Sequence, residues 1–138
     1  MVRALRIETK DKSPQRLSDA AEFLDSANAN FFSGRYKAAL GNAADAAIAA
    51  NDAFTMWFIG KVATADHLEA VKLHKEAGCR LNENKSHVLD TLLDTRHIKA
   101  YKAVAVSKAE AEMTVRQSNA FVSWVNKKIE EEKCRRQA

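Results

Sequence analysis

The chain has 138 residues, enough for one domain with its own core and too few for two ordinary ones. Hydrophobic residues at 46% and charged residues at 29% are globular proportions, which excludes a disordered or fibrous chain, and four Gly with one Pro supply too little turn punctuation for a many-stranded β protein. A net charge of +4, from 22 basic against 18 acidic residues, permits contact with a polyanion but gives only a modest overall field.

Residues 1–14 read as an N-terminal extended segment. Met1 to Pro14 is charged and does not resemble a secretory leader, and no apolar run approaches the ~18 residues that span a bilayer. A cytoplasmic protein with no membrane contact is therefore expected. Residues 15–133 read as a single helical domain. Ser13-Pro14 suits an N-cap and first turn, and Leu17, Ala20, Ala21, Leu24, Ala27 and Phe31 then recur at helical spacing until Ser33-Gly34. A second helix is predicted from about Arg35 to Ile59, stopped by Gly60. Its Ala-rich faces let neighbours approach from several sides, which makes it the central helix. After a turn over 61–65, Asp66 caps a shorter helix that ends at Gly78. A fourth runs from about Asn84 through Arg96 to about Ala103, with Val88, Leu89, Leu92 and Leu93 on its apolar stripe. Ser107 with Glu110 three residues on forms a capping box for a fifth helix, which runs to about Lys133 and leaves 134–138 as a tail. Long helices with short connections predict an all-α, up-and-down antiparallel four-helix bundle with one additional short helix. Cys79 and Cys134 are too few and too far apart for a disulfide framework or a metal cluster, so a reducing compartment suits them and neither metal nor cofactor is expected.

Two stretches of this sequence carry a resemblance. The first runs Ser33-Gly34-Arg35-Tyr36-Lys37-Ala38-Ala39-Leu40 into Ala43-Ala44-Asp45-Ala46-Ala47-Ile48-Ala49-Ala50-Asn51-Asp52-Ala53; the second is Arg96, a short break, Ser107-Lys108-Ala109-Glu110-Ala111 and Ala120-Phe121-Val122. Over about residues 15 to 130 the chain resembles HEPN domains, small all-α bundles. Catalytic members of that family are metal-independent ribonucleases with an Arg-x4–6-His motif, commonly with a polar residue just after the Arg. A permanently charged guanidinium clamps the scissile phosphate, while an imidazole that titrates near neutrality moves the proton. Here the motif reads Arg96-His97-Ile98-Lys99-Ala100-Tyr101, with Tyr101 where the family pattern puts His. A phenol, with an ordinary pKa of about 10, is a poor base at neutral pH but still donates a hydrogen bond to a phosphate oxygen. His97 follows Arg96 by one residue, about 100° around an α-helix, so it does not simply replace the missing His. The resemblance implies a homodimer whose motifs face each other, which would let His97 of one chain approach Arg96 of the other.

The expected function is therefore recognition without cleavage of a nucleic acid such as RNA, a nucleotide or a partner protein from a paired system. Arg96, His97, Lys99 and Tyr101 are its contact set. The alternatives are a toxin-like or defence-type ribonuclease with Arg96 and His97 as catalytic candidates across a dimer, and a structural adaptor with no anion site. Asp45 and Asp52, about 20° apart on the second helix, are expected as structural polar residues, usually a solvated stripe and more sharply a seam meeting Arg96, His67 or a basic partner. The resemblance pairs Asp52 with His67. Arg80 and His87 satisfy the motif spacing too, but Arg80 lies in a connection where the two need not share a face. Basic residues gather at both ends, Arg3, Arg6, Lys10, Lys12 and Arg16, then Lys127, Lys128, Lys133, Arg135 and Arg136. The second cluster is interrupted by Glu130 to Glu132 and reads as a helix end whose cations complement the dipole.

Overall fold

The computed structural model describes residues 5–7, 12–63 and 66–137, so Arg3 and Lys10 of the first basic cluster lie outside the described residues. The elements in order are strand β1 (Leu5–Ile7), helices α1 (Ser13–Phe32) and α2 (Tyr36–Ile59), strand β2 (Lys61–Ala63), helices α3 (His67–Gly78) and α4 (Ser86–Thr95), a π-helical turn (Arg96–Ala100) and helix α5 (Lys108–Gln137). The all-α class holds but for one small departure. Residues 61–63, expected as part of a turn, pair antiparallel with 5–7 in the register Leu5 to Ala63 and Ile7 to Lys61.

Helix α2 is the element on which the rest is built. More than half of its residues are buried, most of them alanines, and α1, α3, α4, α5 and the π turn all pack against it. Short side chains bring neighbouring backbones close enough for hydroxyls to bridge helices. Ser118 Oγ donates to the Ala43 carbonyl at 2.6 Å, and Ser13 Oγ to the Ala53 carbonyl at 3.0 Å. Both hydroxyls are buried, so these bonds offset a desolvation cost of about 1–3 kcal/mol each. Ser13 is accordingly not the cap of α1, as its sequence context suggests, but its first helical residue, with Lys12 at the N-cap.

The other end signals behave as their chemistry dictates. Gly60 closes α2 with φ 65°, a left-handed conformation that costs a side-chain-bearing residue energy. Asp66 accepts the Leu68 and Glu69 N–H groups at the start of α3. Gly78 is required by space: a Cβ there would lie 2.6 Å from the Glu83 carbonyl and 2.7 Å from the Asn84 Cβ. The Ser107 hydroxyl accepts the Glu110 N–H at 3.1 Å, while Glu110 Oε1 accepts the Ser107 N–H at 3.0 Å. Helix α5 runs further than its apolar stripe suggests. Residues 134–137, expected as a tail, continue it because Arg135 and Arg136 both fold back on Glu132, Arg136 Nε at 3.0 Å.

The main core gathers Ala46, Ala50, Phe54, Leu89, Leu92, Phe121, Val125 and Ile129. Inside it stands one titratable group. His74 is fully buried, its ring 4.8 Å from Phe54 and 5.7 Å from Trp124 between centroids. Its Nε2 accepts the Lys85 backbone N–H at 2.8 Å, which leaves Nδ1 as the protonated nitrogen, donating to the Asn51 Oδ1 at 2.8 Å. A neutral ring satisfies both contacts. Burial pushes its pKa down to about 4.

Candidate functional site

Helix α4 stops short of its predicted end. After Thr95 the backbone widens into the π turn of Arg96 to Ala100, and the chain leaves the helix at Tyr101. The change of pitch decides what the motif residues touch. In an α-helix, residues five apart stand about 140° from each other. A turn that closes from i to i+5 brings them to within roughly 50° instead. Arg96 and Tyr101 are five apart, and the Arg96 guanidinium carbon lies 4.7 Å from the centroid of the Tyr101 ring. Ala100 also comes against α2, where its Cβ would sit 3.8 Å from a Cβ placed on Gly41.

The guanidinium is held from its other side by α2. Arg96 Nε donates to Asp45 Oδ1 at 2.9 Å, with about a third of each side chain exposed. Among the described residues the two terminal nitrogens of Arg96 make no hydrogen bond, so the donors on that edge are available to a ligand. Arg96, His97 and Tyr101 all line one cleft of about 420 Å³. Its apolar lining includes Ile48, Leu89 and Leu93, and its polar lining also includes Asn51, Asp52, Asp66 and His67. His97, although it follows Arg96 directly in the chain, lines the same cleft.

Lys99 is placed elsewhere. Its ammonium lies 2.9 Å from Glu110 Oε2 and joins the π turn to the first turn of α5. The Glu110 carboxyl is held down to about 2, chiefly by the Ser107 backbone N–H, then by Lys99 and the Ser107 hydroxyl. The connection after Tyr101 is tied to α2 as well: Lys37 Nζ donates to the carbonyls of Lys102, at 2.5 Å, and Val104, at 2.8 Å.

Each acid of the seam meets a cation. Asp45 meets Arg96, as the shared face with Asp52 suggests. Asp52 instead takes Arg16, at 3.0 Å from Nη2, and Arg16 also holds Asp19 at 2.8 Å. His67 bonds not to Asp52 but to Asp90, with Nε2 2.8 Å from Oδ1, and its Nδ1 faces Asp94 Oδ1 at 3.7 Å. These partners have a simple structural cause. Arg16 on α1 reaches Asp52 across the packed α1–α2 pair, while the start of α3 turns His67 toward α4. Sequence periodicity held no sign of the Arg16 contact, although the four-residue spacing of Asp90 and Asp94 was readable. Arg80 and His87 do not share the cleft. Arg80 lines a separate depression with Glu83, Lys128 and Arg135, and His87 is exposed on α4. Of the C-terminal cations, Lys128 lies 2.8 Å from Glu83 Oε2, and Arg135 and Arg136 hold Glu132.

Among the described residues no helix is long and apolar enough to cross a membrane. Comparison of the chain with known protein families finds no match, and comparison with curated proteins finds none either.

Proposed function

We propose that this chain is a HEPN-like up-and-down helical bundle that recognises a phosphate-bearing ligand, a nucleotide or an RNA segment, without cutting it. The observation that carries the reading is the Arg96 guanidinium. Asp45 and Tyr101 fix its orientation, while its terminal N–H groups stay free among the described residues at a cleft that also offers the Tyr101 hydroxyl and His97. A guanidinium fixed in this way presents its fork to a phosphate with little ordering left to do on binding. The Tyr101 ring, 65% exposed, offers a face on which a base can stack. Cleavage asks for more, because a proton must move at neutral pH and the motif position holds a phenol.

A homodimer in the cytoplasm belongs to this reading, on the strength of the resemblance and of a sequence with no membrane-spanning helix among the described residues. A second reading is favoured by one feature. His97 and Arg96 line one cleft within a single chain, which supplies a ribonuclease with its two groups without a partner subunit.

One experiment separates the two. Fluorescently labelled RNA and mononucleotides are titrated with the protein in a metal-free buffer of fixed salt, and the RNA is recovered and sized. Recognition predicts binding that Arg96→Ala abolishes and RNA that stays whole. Shortened RNA, with shortening lost in His97→Ala, overturns recognition in favour of the enzyme. Absence of binding to either probe returns the chain to a structural adaptor.

A further inference from the structure

We propose that His67, Asp90 and Asp94 form a site for a divalent cation of the zinc or manganese kind. Asp90 and Asp94 stand one turn apart on α4, a spacing at which two like charges repel and weaken the helix. No Lys or Arg among the described residues answers either carboxylate; the ion pairs that both make are with His67. One ligand atom from each of the three side chains lies within 4.8 Å of the others. Tetrahedral ligands of an ion held at roughly 2.0–2.1 Å stand about 3.3 Å apart, so His67 Nε2 and Asp90 Oδ1, now 2.8 Å apart in a direct contact, need to separate by only about half an ångström to admit one.

The donor set decides the class of ion. One imidazole nitrogen with two carboxylate oxygens suits borderline cations such as zinc and manganese, whereas calcium and magnesium prefer oxygen alone. The three residues come from two elements whose relative placement is fixed. Asp66 caps α3 immediately before His67, and α3 packs on α4. His67 also lines the 420 Å³ cleft, which leaves the remaining positions around an ion open to water or a ligand. The site opens on the same cleft as the phosphate reading but shares none of its residues, since its three ligands do not include Arg96, His97 or Tyr101.

The test is isothermal titration of the full chain with zinc chloride and with manganese chloride, in a background where the exposed Cys79 and Cys134 are both replaced by serine. One ion per chain is expected, with zinc bound more tightly than manganese, and zinc is expected to raise the melting temperature where magnesium at the same concentration does not. Asp94→Asn and His67→Gln should each weaken zinc binding by about tenfold or more. Asp94 is exposed, so its substitution is expected to leave the fold intact and keeps the result interpretable if His67→Gln unsettles α3. Zinc affinity unchanged in Asp94→Asn, loss of the site on His97→Gln or His87→Gln instead, or no binding below millimolar zinc overturns the assignment.

Discussion

The Arg96 Nε–H meets Asp45 Oδ1 at 2.9 Å, and through that bond helix α2 sets both the direction and the effective charge of the cleft's cation. With about a third of each side chain exposed, the pair contributes little to stability, on the order of 0–1 kcal/mol. Its effect on a ligand is larger, because the carboxylate competes for the same guanidinium. Asp45→Asn keeps a hydrogen-bond acceptor for Nε and removes the negative charge. We expect labelled RNA to bind this variant about three to ten times more tightly than the parent at low salt, with the gain shrinking as salt rises. Fluorescence anisotropy at two salt concentrations measures it. Weaker binding would mean that Asp45 touches the ligand.

His74 makes the fold sensitive to acid. The folded chain holds the ring neutral down to about pH 4, whereas in the unfolded chain it takes a proton near its ordinary value of about 6.5. The stability that this difference contributes is fully present above about pH 6.5 and is lost as pH falls from there toward 4. Complete protonation across that window removes roughly 3 kcal/mol, taking one pKa unit as about 1.36 kcal/mol. Urea unfolding at pH 7, 5.5 and 4 should show the decline. His74→Gln, which preserves hydrogen bonding but cannot titrate, should lower stability at pH 7 and flatten the dependence by close to one proton. An unchanged slope in that variant would assign the acid sensitivity to other groups.

The sequence disclosed most of the helices because their signals are local. A helix start is written in a residue that accepts N–H groups two or three positions on, as Asp66 and Ser107 do, and a stop in a glycine such as Gly60. The central place of α2 was legible for a related reason, since alanine on every face serves only a helix with neighbours on every side. What stayed hidden depends on the third dimension. Both Asp52 and His67 were visible as polar residues, but each found a partner that no periodicity connects to it, Arg16 across the α1–α2 contact and Asp90 across the α3–α4 contact. The π turn was hidden too. Nothing in Arg96-His97-Ile98-Lys99-Ala100 forbids an α-helix, so the sequence extends α4 to about Ala103, yet the wider turn is what brings Arg96 to Tyr101.

Lys37 restrains the segment that carries Tyr101 without lining the cleft. Its ammonium binds the Lys102 and Val104 carbonyls, and the Lys102 carbonyl also accepts the Val104 N–H at 2.8 Å. Five consecutive residues from Tyr101 are exposed, so Lys37 helps to hold the path of the chain between the π turn and α5. Lys37→Met keeps the length of the side chain and removes the charge. The Val104 amide should then exchange with solvent at least about tenfold faster, while global unfolding shifts by less than about 0.5 kcal/mol, as for an exposed surface substitution. If Tyr101 stacks on a ligand, the same variant should bind RNA several-fold more weakly through faster release, since the ring is no longer held in place beforehand. Faster exchange with unaltered RNA affinity would show that Arg96 acts without Tyr101. Unaltered exchange would show instead that the two carbonyls are held by the turn itself, and that Lys37 follows the segment it was expected to pin.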